Sequence, residues 1–157
     1  MVVALAGLLA CLIATAPRLP ERVASHFNAA GVADGWMSRS AYLWTMGGTA
    51  AGVALLMLGV GFGTRYLPAS AINLPHREYW LAPERQADTY AAFECFGLWM
   101  AAIQAVLVLG IHLLVVEANE RQPPELSPVV WWLLGGFFAA TLVLVVSLFR
   151  RFSRRRA

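Results

Sequence analysis

Three polar side chains stand close together between the first two apolar runs of the chain: His26, Asn28 and Asp34. A fourth, His112, interrupts a later apolar run. Imidazole, amide and carboxylate groups together can hold a peptide through hydrogen bonds, or a metal ion through nitrogen and oxygen. Zinc requires three or four ligands, and Glu117 is the nearest candidate for a fourth. We expect His26, Asn28, Asp34 and His112 to form a ligand site, and we expect neither a metal nor another cofactor.

The same loop residues also have a purely structural interpretation. Asn28 and Asp34 are residue types that close turns through bonds to the local backbone, and His26 could cap a helix end. Gly31 and Gly35 permit positive φ, and Asp34-Gly35 is a turn signal. A ligand site and a folded connector are therefore both open at the level of sequence.

The loop as a whole carries a spaced motif, L-P-x-R-x-x-x-H-F-N-x-x-G-x-x-D-G-W, over residues 19–36. It resembles the signature of a bacterial membrane family, the domain-of-unknown-function 1648 family. The matching residues are Leu19, Pro20, His26, Phe27, Asn28, Gly31, Asp34, Gly35 and Trp36.

This resemblance covers the first two apolar segments only, and the same module occurs in SdpI-like proteins, which protect cells from a secreted peptide toxin. It implies a membrane protein whose outer loop binds a peptide toxin or another membrane protein. SdpI-like proteins are longer, and this chain lacks much of their C-terminal half. The resemblance therefore implies the fold more directly than the immunity role.

Composition places the chain in the membrane. Hydrophobic residues make up 59% of it and charged residues only 13%, too apolar for an ordinary soluble domain. The net charge of +3 comes from twelve Arg, five of which lie in the last eight residues. A basic tail beside an apolar helix is typical of a topology signal or a lipid-headgroup contact, not of a nucleic-acid site. The bilayer is the expected partner.

Four apolar runs, at about 2–16, 42–63, 90–116 and 128–149, predict an all-α, integral membrane four-helix bundle that forms a single domain over 1–157. Loop 17–41 is expected to be structured and extracytoplasmic, and segment 64–89 to lie at the cytoplasmic interface. Ala14-Thr15-Ala16 resembles a signal-peptide cleavage site, but no basic residue precedes this run and Pro17 follows the cut. We favour an uncleaved short helix.

The arginines predict the orientation of these spans. Eight lie in segment 64–89 and the C-terminal tail, and four lie in the two loops on the other side. Basic residues favour the cytoplasmic side. Both termini are therefore expected in the cytoplasm of a bacterial cell, with the His26 loop outside the cytoplasmic membrane.

Segment 73–85 reads N-L-P-x-x-x-Y-W-L-A-P-E-R and resembles a second signature of small relatives of the same family. Pro83 suits the first position of a helix, and Glu84 favours the positive end of the helix dipole. We expect the third helix to begin near Pro83, with Trp80 at the membrane surface. Arg85 is the last residue of this second motif.

Small residues predict where helices approach one another. Gly48 and Gly52 form a small-xxx-small pair, and Gly135 and Gly136 belong to a similar face of the last run. The Gly48–Gly52 pair could pack inside the protein or form the seam of a homo-oligomer, and internal packing is the commoner case. Gly135 and Gly136 are expected to form a close-packing face.

The sequence contains no Walker loop, no G-x-S-x-G, no H-E-x-x-H and no C-x-x-C, so we expect no enzyme. The leading hypothesis is a protein that binds or signals at the membrane. The alternative is a small transporter or channel subunit that uses Glu94 and His112, because ionisable residues at membrane depth face the bundle interior or water.

Overall fold

A computed structural model describes residues 2–153, and the terminal arginines 154–156 lie outside this range. Three helices of the described chain, which begin at Arg39, Gln86 and Val129, are long and apolar enough to cross a membrane. Two antiparallel strands precede the first of these three helices. The elements in chain order are α1 (Val2–Thr15), β1 (Arg22–Phe27), β2 (Ala33–Ser38), α2 (Arg39–Gly63), α3 (Arg77–Trp80), α4 (Gln86–Asn119) and α5 (Val129–Ser153).

The first helix is shorter than the other apolar helices. Its 14 residues extend about 21 Å, against a hydrocarbon core of about 30 Å. One face of α1 packs Leu8 and Leu12 against Ala50 of α2 and Val108 of α4. The prediction of four spanning helices is therefore not confirmed, since the described residues contain three helices of spanning length.

The segment that joins α1 to α2 is a β-hairpin, so the all-α prediction is wrong here. Val23 pairs with Met37 and Ala24 with Trp36. The turn lies at residues 28–31, where Gly31 adopts a φ of 84°. The turn expected at Asp34-Gly35 is also wrong, because both residues lie within β2.

The helices α2 and α4 approach each other closely at two glycines, Gly61 and Gly97. A Cβ at Gly97 would lie 2.6 Å from the Met57 carbonyl oxygen, and one at Gly61 would lie 2.9 Å from the Phe93 carbonyl oxygen. The two backbones therefore touch, as small residues allow.

The predicted glycine faces do not take part in internal packing. A Cβ at Gly48, Gly52, Gly135 or Gly136 would meet nothing within 4 Å in the described chain. The prediction that these glycines pack inside the protein is therefore wrong. The spacing of small residues along a helix does not indicate whether another helix lies against them. A homo-oligomer seam stays a prediction.

The connecting segments lie at two ends of the bundle. Residues 16–38 and 120–128 meet at one end, where Val32 pairs with Glu125, and we call this the hairpin end. Residues 64–85 and 150–153 meet at the other, where Trp80 bonds to Phe152, and we call this the opposite end. At the opposite end α4 begins at Gln86, three residues after Pro83.

Candidate functional site

The hairpin brings two of the predicted site residues together. Nδ1 of His26 on β1 lies 2.5 Å from Oδ1 of Asp34 on β2, and the side chains are 75% and 45% exposed. His26 pairs with Gly35 in the ladder, next to irregularities in register. A Cβ at Gly35 would lie 2.8 Å from the Cβ of His26, so glycine is required for the strands to approach here. The result is an exposed imidazole–carboxylate pair.

Asn28 holds the turn of the hairpin. Its side-chain oxygen accepts hydrogen bonds from Ala30 N at 3.0 Å and Val32 N at 3.1 Å. These are the local side-chain-to-backbone bonds that stabilise turns. The amide oxygen of Asn28 is thus engaged within the turn, as the structural interpretation predicts.

His112 lies in the bundle interior, apart from the hairpin pair. The residue is fully buried, with Nε2 2.6 Å from Thr15 Oγ1 and Nδ1 3.0 Å from Tyr42 Oη. It is seven residues before the end of α4, about 10 Å along the axis. Both ring nitrogens therefore have partners inside the bundle, and the prediction that His112 shares a ligand site with His26, Asn28 and Asp34 stays a prediction.

Asn119, the last residue of α4, fastens the hairpin to the bundle. Its Oδ1 accepts from Ala24 N at 2.8 Å, and its Nδ2 donates to Ala24 O at 2.9 Å and Val115 O at 2.9 Å. Ala24 is fully buried, so its backbone groups depend on this amide. The sequence analysis missed Asn119, since it follows an apolar run and looks like the start of a loop.

The hairpin turn also rests on the second loop of the hairpin end. Leu126 N donates to Gly31 O at 2.9 Å, and a Cβ at Gly31 would lie 2.8 Å from Leu126 O. An open groove of about 370 Å³ separates this turn from the start of α5. Its walls include Phe27, Asn28, Ser127, Val130 and Trp131.

The remaining motif residues serve the frame of the hairpin. Leu19 is buried in a cluster with Val23 and with Tyr42 of α2. Pro20 O accepts a hydrogen bond from Arg39 Nε at 3.4 Å. The guanidinium of Arg22 lies 5.7 Å from the ring centre of the half-exposed Trp36.

The other ionisable residues of the spans do not join the exposed pair. Nowhere in residues 2–153 do three His, Cys, Asp or Glu side chains come together, and Glu117 is ion-paired with Arg121. Glu94 is ion-paired with Arg65 at the opposite end. Glu94 and His112 are 18 residues apart on α4, about 27 Å, so these two residues do not form one site.

At the opposite end, Trp80 is in contact with both neighbouring helices. Its indole N–H donates to Phe152 O at 2.9 Å, and its carbonyl accepts from Thr89 Oγ1 at 2.8 Å. Pro83 and Glu84 lie exposed in the turn before α4. Arg85 lies over the ring of Tyr79, 4.1 Å from its centre.

Comparison with known proteins gives one match. Residues 2–49 match the family described as Domain of unknown function (DUF1648). No curated protein and no solved structure matches the chain. The family match therefore covers α1, the hairpin and the first eleven residues of α2.

Proposed function

We propose that this chain is a small bacterial membrane protein that binds a peptide or another membrane protein at the hairpin end, in the manner of SdpI-like immunity proteins. The observation that supports this is the exposed His26–Asp34 pair. The polar side chains around it are engaged in the frame, with Asn28 in the turn and Asn119 on the β1 backbone. His26 and Asp34 instead present their polar atoms to the outside.

The chemistry of the pair suits recognition of a polar group. The Asp34 carboxylate fixes Nδ1 of His26, so Nε2 is directed away from the pair and has no hydrogen-bond partner within residues 2–153. A neutral imidazole accepts at Nε2 and a protonated one donates, so either a peptide N–H or a peptide carbonyl can bind there. The groove beside Phe27 and Trp131 offers apolar surface to the same ligand.

The binding test compares crosslinking with stability. A photocrosslinking residue in place of the exposed Ala30 would be activated in native membranes, and His26→Ala and Asp34→Ala would be compared with the parent. We expect one discrete adduct that weakens at least about tenfold in both variants at unchanged melting temperature, because losing a charge-assisted bond costs that much. Glu21→Gln, at another exposed position of this loop, is the control.

Two outcomes would overturn the proposal. An undiminished adduct in both variants would show that the pair does not recognise the partner. A parallel loss of adduct and melting temperature would show that the pair is a structural clasp of the hairpin.

We further propose that the hairpin end faces outward from the cytoplasmic membrane, with both termini in the cytoplasm. Of the twelve Arg, eight belong to the opposite end and the tail, and basic residues favour the cytoplasmic side. In a Cys11→Ala, Cys95→Ala background, a membrane-impermeant thiol reagent should label a cysteine at Ala29 in whole cells. A cysteine at Ala69 should react only after lysis, and the reverse pattern would invert the topology.

A further inference from the structure

A cationic cleft opens at the opposite end, far from the hairpin. It lies between α3, the start of α4 and the end of α5, and has a volume of about 610 Å³. Arg85 comes from the segment before α4, and Arg150 and Arg151 come from the last turns of α5. One carboxylate, that of Asp88, also lines it. Three positive charges thus face one negative charge.

Contacts position two of the three guanidinium groups, and no ion pair within the described chain neutralises any of the three. None of them belongs to an ion pair among residues 2–153, where the four ion pairs involve Arg18, His26, Arg65 and Arg121. Arg85 lies over the Tyr79 ring, and Arg151 donates to the backbone oxygen of Asp88 at 3.2 Å. Each of these contacts orients a guanidinium while its charge stays available to an anion.

Packing behind the cleft makes it a preformed site. Trp80 meets Phe152 edge to face at a centroid distance of 5.2 Å, and Phe152 stacks on Phe93 at 5.3 Å. The Trp80 indole also bonds to Phe152 O. These contacts join α3, α4 and α5, so binding an anion requires little reordering of the cleft walls.

The cleft adjoins the apolar surface of α5, so one ligand could contact both. Val143, Ser147 and Arg150 share one face of α5, since they are four and three residues apart. Val143 is 63% exposed on an apolar helix of spanning length, whereas Ser147 and Arg150 line the cleft. A ligand with an anionic head and an apolar body would therefore bind the cleft and the helix together.

We infer that this cleft binds the phosphate headgroup of an anionic lipid. Arginine forks match phosphate oxygens in geometry and charge, and basic pockets between spanning helices are known to take such headgroups. Tyr79 and Trp80, aromatic residues typical of the membrane surface, place the phosphate at headgroup depth. The acyl chains lie along α5 from Ser147 towards Val143.

The test measures thermal stabilisation of the full-length protein in neutral detergent. Phosphatidylglycerol, phosphatidylcholine and inorganic phosphate would be titrated separately. We expect phosphatidylglycerol to raise the melting temperature, with little effect of phosphatidylcholine or of inorganic phosphate at the same concentration. Arg150→Gln and Arg151→Gln should each weaken the apparent affinity for phosphatidylglycerol about tenfold, since each removes a charge-assisted bond to phosphate.

Two variants serve as matched controls. Arg77→Gln removes the same charge at the same end but outside the cleft, and Arg22→Gln removes a guanidinium beside an aromatic ring at the hairpin end. Arg150 makes no hydrogen bond or ring contact within residues 2–153, so Arg150→Gln tests the cleft even if Arg151→Gln unfolds the end of α5. Equal loss in controls and cleft variants, or equal stabilisation by inorganic phosphate, would overturn the assignment.

Discussion

The two ends of the bundle are held together by different forces. At the hairpin end, backbone groups do most of the bonding: strand pairs with strand, Asn119 with Ala24, and Leu126 with Gly31. At the opposite end, contacts of aromatic rings and arginines around Trp80 and Phe152 hold the helices together. Backbone bonding specifies a shape and leaves side chains such as His26 exposed. Aromatic and guanidinium packing suits a region where apolar and polar surroundings meet.

The segment that matches the family model, residues 2–49, is bonded to a helix outside it, α4. Residues 2–49 supply Thr15 and Tyr42, whose hydroxyls meet His112, and they supply the strand that Asn119 holds. His112 and Asn119 both belong to α4. A buried polar network of this kind is stable only when all its members are satisfied. The hairpin of this chain therefore depends on α4 for its position.

The largest effect should follow from removing the amide at the hairpin end. Asn119→Leu deletes three hydrogen bonds and leaves the buried N–H and C=O of Ala24 without that partner. We expect a loss of about 3 kcal/mol of stability, because each stranded buried group costs about 1–3 kcal/mol. Thermal and denaturant unfolding in detergent would measure it.

The control for this prediction lies on the same helix. Gln104 has the same functional group but makes no hydrogen bond in the described chain, so Gln104→Leu should change the stability by less than about 0.5 kcal/mol. Similar losses in the two variants would mean that α4, and not the Asn119 amide, determines the position of the hairpin.

The two ends also differ in what their sequence reveals. The motif at 19–36 marks the hairpin segment and contains both His26 and Asp34. It does not predict two strands, because buried and exposed positions alternate along β2 but not along β1. Gly35 suggests a turn because glycine is common in turns. In the structure it lies within β2, where the absence of a Cβ allows His26 on β1 to approach closely.

Long-range contacts account for the other sequence-based misses. Asn119 bonds to a residue 95 positions away, and no local pattern encodes that distance. The Gly61–Gly97 contact joins two helices whose relative rotation depends on every other packing face. The aromatic character of Trp80 predicts a place at the membrane surface but not its partner, the Phe152 carbonyl, 72 positions away.

A smaller effect is expected from the indole N–H at the opposite end. Trp80→Phe keeps an aromatic ring against Phe152 but removes the hydrogen bond to its carbonyl. We expect a loss of about 1 kcal/mol, the usual net contribution of one neutral hydrogen bond. Trp44→Phe, at a position 81% exposed on α2, is the control and should leave the melting temperature unchanged. A loss as large as that of Asn119→Leu would contradict the proposed contrast between the ends.

The smallest effect concerns the ion pair between the turn that follows α1 and the first residue after α4, where Arg18 Nε lies 2.8 Å from Glu120 Oε1. The hydrogen bond from Arg18 holds the pKa of the Glu120 carboxyl below its ordinary value of 4.5; desolvation opposes this and the charge of Arg18 reinforces it. Because the folded pKa is the lower one, the pair stabilises the fold above about pH 4.5, and this contribution is lost as the pH falls through the folded pKa. Glu120→Gln should therefore lower the melting temperature slightly at pH 7, and this difference should shrink as the pH falls below 4.5. Both side chains are about half exposed, so high salt should shrink the difference at pH 7. An unchanged difference at low pH would show that Glu120 acts through packing, and the ion pair would then contribute nothing to holding the hairpin end together.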